Sequence, residues 1–285
     1  MSLSAAGRPA YTALGMAGSE PPDPARYARQ VAFGALGEEG QRRLRLGRAL
    51  IVGVGGLGSW TAEILARAGV GLLRLADDDV VERGNLHRQA LYDEDDAAGA
   101  RPKALAAAAR LRKINADVRV EPVVERVDAG TIARLADGVG VILDGTDNFA
   151  ARFLINDYAV KHNRPWVFTG VVGAEGQVMP ILPGRTPCLR CLYDCPPSAH
   201  DELAPRALGV LGPAVAALAA AQAAEALKIL AGRLDAVRSG LTKLDLWRNT
   251  SRRLDAGGAA GAADCVCCKQ RRFEYLEPAA GGGGA

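Results

Sequence analysis

No stretch of this sequence reads as a clean membrane span. The longest apolar run, residues 207–230, is interrupted by Pro213, Gln222, Glu225 and Lys228, which suits a largely buried helix better than a bilayer one. The order of a signal peptide is also missing: the start, MSLSAAGRPAYTALGMAGSEPPDPA, is small, polar and proline-rich, and residues 1–24 read as a mobile tail. A cytoplasmic location is the expectation that follows. Charge of one sign is not in excess, with 35 basic against 32 acidic residues, so neither nucleic acid nor a membrane is expected as a partner, and any anion site must be local. His87, His162 and His200 have no metal-ligand spacing and read as structural or surface residues. No internal repeat is present. Six cysteines without an export signal argue against a disulfide framework and for metal or thiol chemistry in a reducing compartment.

What is present is a chain of 285 residues, 49% hydrophobic, long enough for one large α/β domain or two small ones. Residues 26–46 have mixed helical spacing. ALIVG (residues 49–53) reads as a buried strand, GVGGLG (53–58) opens an apolar helix that stops at Gly69, and LLRLAD (72–77) is a second strand. The spacing predicts a further helix over 103–113, strands over 118–127 and 139–144, and shorter strands in WVFTGVVG and GQVMPILPG. A proline- and cysteine-rich loop, a long helix, strand material in LTKLDLW and RRL, and a low-complexity end follow. Strands separated by helices predict a mostly parallel sheet flanked by helices, in the α/β class.

Gly53, Gly55 and Gly58 form a G-x-G-x-x-G between a strand and a helix, where bare backbone N–H groups and a helix N-terminus can cradle phosphates. Asp77 ends the next strand, where a carboxylate can accept from ribose hydroxyls. These features suit a nicotinamide or flavin enzyme equally well. The segment DDDVVERGNLHRQ (77–89) separates the alternatives, because it runs into Asn85, Arg88 and Gln89, with Lys103 shortly after. A triphosphate losing pyrophosphate builds negative charge that placed Arg and Lys side chains stabilise, whereas hydride transfer needs few fixed cations. In DGTDNFAARFLIND (144–157), Asp147 and Asn148 should sit at the carboxyl end of a strand, where open sheets bind ligands. Asp147 is a candidate Mg²⁺ ligand, and Asn148 either contacts the cofactor or caps the following helix.

Cys188-x-x-Cys191 and Cys265-x-x-Cys268 have the spacing of a tetrahedral four-thiolate Zn²⁺ site, structural because no ligand position stays open. Cys195 and Cys267 remain as spare thiols, alternative ligands or nucleophiles.

Taken in order, RYARQ (26–30), GVGGLG, DDDVVERGNLHRQ, RPK, DGTDNFAAR, GQV, PCLRCL, GVLGP, QAAEALKIL and the closing CVCC resemble the MoeB/ThiF/HesA family, bacterial relatives of the ubiquitin-activating enzymes. The resemblance covers residues 25–275 and implies a Rossmann-like adenylating domain. Its nucleotide-binding part would span about 47–165, and its crossover loop and zinc-bearing C-terminal part about 166–275, before a disordered tail at 276–285. It implies an ATP-dependent adenylyltransferase acting on the C-terminal glycine carboxylate of a ThiS- or MoaD-like ubiquitin-like sulfur carrier ending in Gly-Gly. By motif, Gly56 would lie against ATP, Asp77 would hold the ribose, and Asn85, Arg88, Gln89 and Lys103 would contact phosphates. Asp147 would place Mg²⁺, and Arg29 would reach the partner subunit's ATP in a homodimer, although residues alone read Arg29 as an exposed helix arginine. The chain departs from several sulfur-carrier-activating relatives at Pro205, which stands about where they have a transfer cysteine; activation without a covalent step is the expectation. A peptide or a tRNA-modification substrate, an NAD-dependent oxidoreductase and a zinc-stapled binding module are the alternatives.

Overall fold

A computed structural model describes residues 24–193, 195, 209–237, 239–255 and 262–277. Pro205, His200 and the terminal PAAGGGGA lie outside the described residues. Helices α1 (Pro24–Val31) and α2 (Gly37–Leu46) divide the helical stretch that the sequence spacing left undivided, with Gly37 at φ 64° opening the second. The chain continues as β1 (Arg48–Val52), α3 (Gly56–Arg67), β2 (Leu72–Ala76), α4 (Glu94–Ala98), α5 (Lys103–Ile114), β3 (Arg119–Val123), α6 (Ile132–Leu135), β4 (Val141–Asp144) and α7 (Phe149–Lys161). After them come β5 (Trp166–Val172), β6 (Glu175–Ile181), α8 (Gly212–Leu230), β7 (Leu241–Asp245) and β8 (Thr250–Leu254).

One eight-stranded sheet has the order β3-β2-β1-β4-β5-β6-β7-β8. The first five strands pair in parallel, and β6, β7 and β8 are added antiparallel. The sheet is therefore mixed, with a parallel part as the βαβ pattern predicts. Two strands are shorter than their apolar runs: β3 stops at Val123 with Val124 exposed, and β4 begins at Val141. On the β3 edge only β2 is available as a partner, so the alternating residues after Val123 have no ladder to join. The final turn reaches past the expected boundary at 275, since the amides of Leu276 and Glu277 both donate to the Phe273 carbonyl.

Period-two alternation divides the strand side chains between two cores. Ala49, Ile51, Val141, Leu143 and Val167 face a cluster with α3, α5 and α8, while Leu50, Val52, Ile142, Trp166 and Phe168 face one with α6, α7 and the cysteine loops. Both faces of the parallel part are thus covered, which is why these strands are near-continuous apolar runs. By length and composition α8 could cross a membrane, but here it is the core helix of the first cluster, contributing Val215, Leu218, Ala219, Ala223 and Ala226. Its one fully buried polar side chain is used as a tie: Gln222 accepts from Thr61 Oγ1 at 2.7 Å and donates to the carbonyls of Asp144 (2.8 Å) and Val167 (3.1 Å).

Candidate active site

The strand order reverses between β1 and β4, opening a crevice at the carboxyl ends of the parallel strands. The glycine loop lies there between β1 and α3, and its glycines have unequal tasks. Gly58 is a packing requirement, because a Cβ on it would lie 1.9 Å from the Gly53 carbonyl oxygen. Gly53 turns the chain at φ 80°, and its amide donates to the Ala76 carbonyl at 2.8 Å. Gly55 is open: a Cβ there would meet only Gln89 Nε2, at 3.7 Å. Gly56 faces Val215 and, at 3.9 Å, the stem of Arg88.

Asp77 anchors this loop. Its carboxylate accepts from the amides of Val54 (2.7 Å) and Asp79 (2.9 Å), and the Tyr92 hydroxyl donates to the Val54 carbonyl at 2.7 Å. Burial pushes the Asp77 carboxyl upward, opposed by those two amides and by the nearby Lys103 charge. A carboxylate has about four acceptor positions, so lone pairs remain for a ligand hydroxyl.

Beyond Asp77 a 3₁₀ turn, Arg83–Asn85, brings Asn85, Arg88 and Gln89 to one side of the loop. Asn85 and Gln89 are buried, and Gln89 Nε2 donates to Asn85 Oδ1 at 2.6 Å. Gln89 Oε1 is buried without a hydrogen-bond partner, an acceptor that costs free energy until a donor arrives. Arg88 is held by Nη1 donating to the Gly84 carbonyl at 3.0 Å, and its own carbonyl accepts from Trp60 Nε1 at 3.1 Å. A cleft of about 600 Å³ lined by Trp60, Arg67, Gln89, Tyr92, Arg110 and Lys113 adjoins this surface and shares Gln89 with it. Lys103 opens α5; its side chain is buried and its ammonium donates to Asp79 Oδ2 at 2.8 Å. Asp79 is thus the partner a ligand phosphate would compete with.

On the far side of the crevice, Asp147 is exposed just past β4. Asn148 is the N-cap of α7, its Oδ1 accepting from the Ala151 amide at 2.8 Å, so the capping alternative has direct geometry behind it. Residues that sequence spacing did not single out hold this wall. Asp144 is fully buried and accepts from Thr146 (N, 2.9 Å; Oγ1, 2.7 Å), Arg152 Nε (3.1 Å) and the Thr169 amide (3.3 Å). Arg152 also donates to the Thr146 carbonyl at 2.9 Å and lies over the Phe149 and Phe168 rings. The available signal was an acid closing an apolar strand and an arginine within an apolar helix. Arg29 lies elsewhere, exposed on α1. His87 is exposed with its ring against the Gly84 carbonyl, and His162 ends α7.

The four paired cysteines do converge. Their sulfurs all lie within 4.8 Å of one another, with Cys188–Cys191 at 3.8 Å, Cys188–Cys265 at 3.6 Å and Cys191–Cys268 at 3.5 Å. A tetrahedral zinc with Zn–S of about 2.3 Å has S···S edges of about 3.8 Å, so the donor set fits that ion. Hydrogen bonds among the sulfurs push the Cys188 thiol up and pull Cys265 down, as expected of four thiols that cannot all ionise without a cation. The Asp77, Asp78 and Asp79 carboxylates also lie within 4.8 Å of one another, with Lys103 already on Asp79. Cys267 is fully buried and Cys195 exposed.

Comparison with known proteins agrees with this architecture. The ThiF family model matches residues 27–267. The sulfur carrier protein ThiS adenylyltransferase of Bacillus subtilis is 42% identical over 253 residues, covering 88% of this chain and 73% of that protein. The SAMP-activating enzyme E1 of Haloferax volcanii is 40% identical over 252 residues, covering 88% of this chain and 91% of the relative. Among solved structures, Escherichia coli MccB with MccA-N7isoASN shares the fold with a TM-score of 0.74 at 22% identity, over 85% of this chain and 74% of that one. The chain belongs to the ThiF family of adenylyltransferases.

Proposed function

We propose that this enzyme uses ATP to activate the C-terminal glycine carboxylate of a ubiquitin-like sulfur carrier protein. In the proposed step a carboxylate oxygen attacks the α-phosphorus and the bond from that phosphorus to the bridging oxygen breaks. The electron pair leaves with pyrophosphate, and an acyl-adenylate remains. The attacking group is already ionised, so no base is required. The observation that carries the reading is the open backbone at Gly55 beside Gln89, next to Gly56, which packs against Val215 and lies near the Arg88 stem; relatives named sulfur carrier adenylyltransferases support its substrate class.

In this reading the Gly53, Gly55, Gly56 and Gly58 loop takes the nucleotide, with Gly55 and Gly56 approaching it most closely and Asp77 accepting from the ribose. Asn85, Arg88, Gln89 and Lys103 hold the phosphates, Lys103 exchanging Asp79 for a phosphate oxygen. Asp147 would hold Mg²⁺, whose charge offsets that of the phosphates; a single exposed carboxylate at a strand end suits an ion that takes one or two protein carboxylates. Asn148 sets the position of Asp147 through its cap, and Arg29 acts across a homodimer. Cys188, Cys191, Cys265 and Cys268 would hold a structural Zn²⁺.

Carrier-dependent exchange of labelled pyrophosphate into ATP tests the proposal. Exchange is expected with a Gly-Gly-ended ubiquitin-like carrier; exchange only with a short peptide substrate, or with none, sinks the carrier reading.

A further inference from the structure

Helix α7 places two consecutive polar residues, Asn156 and Asp157, where neither has any solvent exposure. An amide and a carboxylate buried in a core are costly unless partners meet them. The two cysteine loops meet both ends of the Asn156 amide, while Asp157 is met at Oδ2 alone and its Oδ1 has no partner. Asn156 Oδ1 accepts from the Leu189 amide at 2.8 Å, one residue after Cys188. Asn156 Nδ2 donates to Cys267 Sγ at 3.2 Å, one residue before Cys268. Asp157 Oδ2 accepts from the Tyr275 amide at 2.9 Å, in the turn that follows the second loop. A backbone N–H can be met only by an acceptor, so Leu189 fixes the orientation of the Asn156 amide and turns its nitrogen to Cys267.

We infer that Asn156 is a positioning residue of the four-cysteine metal site, one side chain that ties both Cys-x-x-Cys loops to the sheet-packed helix at the spacing the ion needs. Cys267 then serves as the second end of this tie. The physical need is plain. Residues 191 and 265 are far apart in sequence, so bringing their loops together costs closure entropy that a tie within the folded chain meets before the ion binds. Outer-shell partners of this kind are worth about 10- to 100-fold in metal affinity.

The inference rests on the zinc reading of the cysteines, so the zinc content of the purified full chain is measured first; a parent chain without zinc refutes that reading by itself. With a zinc-loaded parent, Asn156→Ala is expected to bind zinc roughly 10- to 100-fold more weakly in competition with a chromophoric chelator. Its Leu189 amide should also exchange hydrogen faster. Leu111→Ala, in the opposite core, should lower the melting temperature and keep parental zinc affinity, separating positioning from general loss of stability. Cys267→Ala, which removes the other end of the tie, replaces Asn156→Ala if that variant does not fold, and is expected to weaken zinc about 10-fold. Parental zinc affinity in the folded variant overturns the assignment.

Discussion

At the glycine loop, Gly55 leaves space, Gln89 Oε1 has no donor and Lys103 is paired with an exposed acid it can release. At the cysteine cluster the sulfurs already stand at coordination spacing, with the Asn156 amide meeting both loops. One end of the fold keeps Gly55 and Gln89 Oε1 available; at the other the Asn156 amide is used at both its oxygen and its nitrogen. The contrast follows from their tasks. In the proposed reading, a site that binds and releases a charged nucleotide needs groups whose best partner is the ligand, whereas a staple needs its loops held by groups within the chain.

The largest expected effect breaks the comparison inside the glycine loop itself. Gly58→Ala forces a methyl against the Gly53 carbonyl and is expected to destabilise the fold by about 3 kcal/mol, the upper range for overpacking. Gly55→Ala should leave stability near the parent's and weaken ATP binding. Chemical denaturation of both variants, with ATP titration of the second, checks the pair, and equal stability losses would erase the distinction drawn between packing and open glycines.

Next in size, Arg88→Ala is expected to lower the rate of pyrophosphate exchange by about 10²-fold with unaltered circular dichroism, the scale for one preorganised charge-stabilising group. A rate within a few fold of the parent's would move the phosphate site away from the turn. The smallest expected effect is none: Cys195→Ala, at an exposed thiol, should leave exchange unchanged, since the proposed adenylation passes through no thioester. A large loss there would transfer part of the chemistry to the cysteine side and blur the division between the two regions.

Much of both sites was legible locally. A glycine loop between an apolar strand and an apolar helix can be read within a few dozen residues, and paired Cys-x-x-Cys spacing is informative at any separation. The capping role of Asn148 was visible as one of two alternatives, because cap geometry depends on neighbours within one turn. What stayed hidden depends on partners distant in sequence. Gln222 was noted only as an interruption of an apolar run, yet it ties α3, β4 and β5 together. Arg152 looked like a helix residue until its pairing with Asp144 and Thr169 placed it under the Asp147 wall.

By itself, then, the sequence determined the alternation that divides the strands between two cores, the turn glycines and the chemical type of each ligand set, all of which are set by short-range sterics and hydrogen bonding. Only the tertiary structure decided which glycines are packed and which are open, that Lys103 rests on Asp79, and that a buried asparagine joins the two cysteine loops. Those facts rest on contacts between residues as much as 111 apart along the chain, as Asn156 and Cys267 are. Burial is what gives them their energetic weight, and it exists only once the sheet and its helices have closed.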